Sequence, residues 1–111
     1  MKIIASEWNA WYNIIPGSDP KKLHVTGKID VKTESTDLFL LFHSYDKSNP
    51  PRLLIQLNER TIFIPRNEGD TIVRVHYEQA GEPGDICGIT VLDPNGGVFA
   101  KIESTDIDIV Q

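Results

Sequence analysis

The sequence predicts an all-β domain, two antiparallel sheets closed over one core, from three observations. Apolar and polar residues alternate with a period of two in several short segments. Clusters of Gly, Pro, Asn and Asp separate these segments about every 8 to 12 residues, the spacing of a sandwich or barrel. No interval between them is long enough for a covering helix, so no βαβ unit can be drawn.

Taken in order, the first segment is ambiguous. Trp8, Trp11, Tyr12 and Ile15 have the i, i+3, i+4, i+7 spacing of an amphipathic helix, with Ser6 as a cap. The segment is short, aromatic and stopped by Pro16, and isolated helices of that length are marginal, so an extended strand is favoured. Residues 23–31 alternate cleanly: Leu23, Val25, Gly27, Ile29 and Val31 on one face, His24, Thr26, Lys28 and Asp30 on the other. Residues 37–45 are apolar on both faces, which suits a central strand or one that joins a dimer interface. Asn49-Pro50-Pro51 ends that stretch.

Leu53, Ile55 and Leu57 point inward on the next strand. Residues 58–60 read either as a turn before a return strand at 61–64 or as part of one long bent strand. Residues 65–70 form a loop, and Val73, Val75 and Tyr77 alternate with Arg74, His76 and Glu78 beyond it. Residues 86–92 and 98–103 flank Asp93-Pro94-Asn95-Gly96-Gly97, the clearest hairpin in the chain. Residues 107–110 give a last strand, where Asp106 and Asp108 would guard a sheet edge.

Together these give about seven to nine strands and an immunoglobulin-like Greek key, with residues 1–111 as one domain. Marks of antibody-type domains are missing: there is no Cys…Trp…Cys spacing, and Tyr77 has no cysteine two residues on. The size is similar to that of the small immunoglobulin-like cysteine-protease inhibitors. Only Asn49-Pro50-Pro51 resembles the start of one of their loops, so no family is assigned. The tetrapeptide Glu-Ser-Thr-Asp occurs at residues 34–37 and again at 103–106, which repeated turn chemistry explains.

Eleven basic and sixteen acidic residues give a net charge of -5. With no basic cluster beyond Lys21-Lys22, nucleic acid and anionic membranes are disfavoured as partners. The longest apolar run, residues 38–42, is far below the roughly 20 residues of a spanning helix. The first seven residues lack the apolar length of a secretion signal. One cysteine, Cys87, excludes an intrachain disulfide and favours a reducing, cytoplasmic setting.

Candidate chemistry is sparse. His24, His43 and His76 lie on three different strands with no ligand-pair spacing, so no metal or other cofactor is expected. His24 and His76 fall on the wet faces of their strands and would meet only if those strands were neighbours in register. Turn aspartates such as Asp46, Asp70, Asp85 and Asp93 suit calcium in principle, but such residues usually bond their own backbone. Cys87 reads as a small buried hydrophobe, and there is no serine elbow or phosphate loop.

A binding module for a protein or glycan is the expected function. Trp8, Trp11, Tyr12, Asp46, Asn49, Arg52 and Arg66 are the candidate ligand residues. On a strand, Trp8 and Tyr12 share one face and Trp11 takes the other, so one face buries aromatics and the other can present one. The alternatives are a calcium- or zinc-dependent domain or small enzyme, and a self-associating component or homodimer built on residues 39–43.

Overall fold

A computed structural model describes residues 6–17 and 21–110. What was expected of residues 1–5 as a non-signal start lies outside them. Among the described residues there are eight strands, within the expected number: β1 (Ser6–Asn13), β2 (Lys22–Asp30), β3 (Thr36–Tyr45), β4 (Arg52–Thr61), β5 (Ile72–Ala80), β6 (Gly88–Leu92), β7 (Val98–Glu103) and β8 (Asp108–Val110). A 3-10 turn, Ser104–Asp106, precedes β8. The first sheet has the order β5-β2-β1-β8 and the second β3-β4-β6-β7.

Alternation in sequence becomes burial in the fold. Leu23, Val25 and Ile29 of β2 face Leu53, Ile55 and Leu57 of β4 and Ile89 and Val91 of β6, and none of the eight is more than 1% exposed. Burying a side chain of this kind contributes roughly 1.5 to 3 kcal/mol, so this layer holds the two sheets together. Trp8 joins it from β1 through a special allowance. Gly27 lies directly opposite Trp8, and a Cβ there would fall 2.5 Å from the indole. The missing side chain makes room for the ring, which meets Phe99 edge-on at 6.1 Å.

Three expectations need correction. The sheets are mixed, not purely antiparallel: β1 pairs with β8, and β4 with β6, in parallel. Two mixed sheets of four strands each are consistent with a β-sandwich, but not with purely antiparallel pairing. Of the two readings of residues 58–60, the single long strand holds: β4 continues unbroken to Thr61 and pairs with β3 along that length. The doubly apolar β3 is an edge strand and not a central one, leaving Leu41 and Phe42 each 51% exposed. Cys87 precedes β6 and is only half-buried, its backbone tied to Pro51 and Ser104. The expected hairpin is present: Gly96, at φ 91°, donates its N–H to the Asp93 carbonyl between β6 and β7.

Candidate ligand-binding face

The outer face of the first sheet is a grid set by register. The β1–β2 and β2–β5 pairings align Glu7, Lys28 and Arg74 in one row and Asn9, Thr26 and His76 in the next. The third row is Trp11, His24 and Glu78, with Asp108 of β8 beyond Trp11. Rows lie about 6.6 Å apart and strands about 4.8 Å, so each side chain is within reach of its diagonal neighbour.

In the last two rows the rings gather. Trp11 and His24 stack at 5.1 Å and 11°, and His24 and His76 lie nearly parallel at 5.3 Å and 7°. The Nδ1 of His24 is 3.0 Å from the Nε2 of His76 and 3.5 Å from the Oε2 of Glu78. The other Glu78 oxygen, Oε1, is 3.6 Å from the Lys22 ammonium. These three residues are the one group among the described residues whose ligand atoms could hold a metal ion. The condition set by the sequence, neighbouring strands in register, is met for His24 and His76. His43 stands apart on β3, its Nδ1 2.7 Å from the Ser44 hydroxyl.

Alongside lies a trough of about 490 Å³ over the middle of the sheet, lined by Glu7, Asn9, Thr26, Lys28, Arg74 and His76. Among the described residues, the side chains of Glu7, Asn9, Thr26, Lys28 and Arg74 have no hydrogen-bond or ion-pair partner. Two cations, one carboxylate, an amide and a hydroxyl therefore face solvent with open donors and acceptors.

The residues singled out from sequence divide sharply. Trp11 lies on this face, half-buried, while Trp8 and Tyr12 point into the core as the strand parity required. The Trp8 Nε1 is buried and has no hydrogen-bond partner among the described residues. Tyr12 is 4% exposed, lines a separate cavity of about 110 Å³, and has its hydroxyl pKa raised by burial first and then by Asp85 and Tyr45.

Asp46 holds its own loop. Its carboxylate accepts from the Ser48 N–H and hydroxyl and from the Arg52 N–H, which keeps it below the usual carboxylate range. The Arg52 guanidinium donates to the Thr90 hydroxyl at 2.6 Å, the Ile89 carbonyl and both oxygens of Glu103. Arg66 donates to the carbonyls of Thr33 and Asp70. Asn49 is exposed and joined to Pro50 by a cis peptide bond. Apart from Trp11, the seven candidates are absent from the grid.

Sequence reasoning did not select Glu7, Asn9, Thr26, Lys28, Arg74 or Glu78 as ligand residues. Their signal was the polar parity of three strands, visible only once those strands are known to be neighbours. The turn aspartates behave in the ordinary way: Asp30, Asp70, Asp85 and Asp93 each accept backbone N–H groups in their own turns. Among the described residues no helix is long and apolar enough to cross a membrane. Compared with protein families, curated proteins and solved structures, the chain matches none.

Proposed function

We propose that the protein is a binding module that recognises a glycan on the outer face of the β5-β2-β1-β8 sheet. The trough carries this reading: about 490 Å³ of space is ringed by open donors and acceptors on three rigid strands. A sugar presents hydroxyls that both donate and accept, spaced a few ångströms apart, and sites for such ligands place a few polar groups at fixed positions. Asn9 and Thr26 can do both, Lys28 and Arg74 donate, and Glu7 accepts. Trp11 adds an apolar flank at the end of the trough.

A glycan panel read by chemical-shift mapping tests the proposal. Asn9→Ala and Arg74→Ala are each expected to weaken binding about tenfold, the weight of one or two hydrogen bonds, while leaving Tm in place. Shifts confined to the loops at 46–52 or 65–70, or no binder in the panel, reject it.

A second reading rests on a different observation. The edge strand β3 exposes Leu41, Phe42 and Tyr45 by 47 to 51%, an apolar strip suited to a second copy of the chain. Sedimentation at rising concentration decides it, and a single monomer throughout removes it.

A further inference from the structure

We propose that His24, His76 and Glu78 form a binding site for a divalent transition-metal ion of the zinc class. The three ligand atoms come from neighbouring strands and lie within 4.8 Å of one another. Around a tetrahedral ion with bonds near 2.05 Å, adjacent ligand atoms stand about 3.3 Å apart. The two distances from His24 Nδ1, 3.0 Å to His76 Nε2 and 3.5 Å to Glu78 Oε2, bracket that value. An ion there replaces the His24–His76 hydrogen bond, and the two rings turn so that both nitrogens face it.

Three further features favour an ion there. Two imidazoles and one carboxylate select zinc, nickel or copper over calcium and magnesium, which prefer oxygen alone. His24 is held against Trp11, and its side chain is 17% exposed, so little ordering remains when it binds. Lys22 contacts the oxygen of Glu78 that faces away from His24, so it steadies the carboxylate without occupying the ligand position. Two imidazoles this close without an ion share at most one hydrogen bond, which leaves the site ready for exchange.

Three protein ligands leave a fourth position open to solvent, as in sites where zinc meets an exchangeable ligand. The site does not depend on the trough binding a glycan, and its test is separate. A tag-free chain stripped with chelator and titrated with Zn²⁺ is expected to take up one ion and melt at a higher temperature, because an ion that binds the folded chain stabilises it. Ring resonances of His24 and His76 should move and those of His43 should not.

His76→Ala and Glu78→Gln should each lower the Zn²⁺ affinity by about tenfold or more, and His43→Ala should leave it unchanged. Both ligand changes lie on the outer face, and the amide in Glu78→Gln preserves the shape of the side chain. No uptake of Zn²⁺, Ni²⁺ or Cu²⁺ at millimolar concentration overturns the proposal. So does uptake that survives His76→Ala, or that is lost with His43→Ala.

Discussion

Arg52 on the outside of the second sheet and Arg74 on the outside of the first are the same side chain in opposite circumstances. Arg52 bridges three strands, lying across Gly88 with its guanidinium bonded to Thr90, Ile89 and Glu103, and its side chain is only 16% exposed. Arg74 stands in the open row with Glu7 and Lys28, and its side chain has no hydrogen-bond or ion-pair partner among the described residues. The difference separates a polar group that completes the fold from one that is available to something else. Arg52 gives the buried Thr90 hydroxyl a hydrogen-bond partner, as buried polar groups require, and ties β6 and β7 to β4. The first-sheet grid has capacity left over after folding.

Breaking the second-sheet side gives the largest effect. Arg52→Ala strands the hydroxyl of Thr90, 5% exposed, and removes several charge-assisted bonds, so urea unfolding is expected to show a loss of about 3 kcal/mol. Arg52→Lys should recover little of this, because an ammonium cannot reproduce the planar fork.

The next effect sharpens the first-sheet side. Gly27→Ala pushes a methyl into the Trp8 ring and should cost about 1 to 3 kcal/mol in thermal or urea unfolding. Combining it with Trp8→Leu should cost less than the two single changes added, since both act on one space.

The smallest effect is a pH dependence on the Arg52 side. Glu103 is held below the usual range chiefly by its hydrogen bonds from Arg52, and Asp46 chiefly by the Arg52 backbone N–H. In both, the folded chain favours the ionised form. Their stabilisation is therefore present above the ordinary carboxylate range near 4 and is lost as pH falls through the lower folded values. Glu103→Gln and Asp46→Asn should be less stable than the parent at neutral pH, with the gap narrowing as pH falls below the ordinary carboxylate range. A gap that stays constant would mean these carboxylates do not act through their charge.

How much of this could be read from the chain alone follows the same division. Alternation located the core: Leu23, Val25 and Ile29, like Leu53, Ile55 and Leu57, are buried as their parity required. It also put Trp11 and Trp8 on opposite faces of β1. Period-2 patterning says which way a side chain points but not which strand lies beside it, so the parallel pairings and the edge position of β3 were not legible. The same blindness hid the site. His24 and Glu78 are directly opposite and His76 is one diagonal away only because β2 and β5 pair in one particular register. Asp46, Arg52 and Arg66 drew attention as polar residues near turns, and the fold uses all three to hold those turns and strand ends.

The imidazoles of His24 and His76 touch although 52 positions separate them, and the chain between them builds both β3 and β4 in the opposite layer. Closing so long a loop is entropically harder than closing the six-residue connection between β3 and β4. During refolding that hairpin should appear first, and the two rings should meet afterwards. Their resonances would then serve as a clock for the late step that adds β5 to β2 at one side of the first sheet.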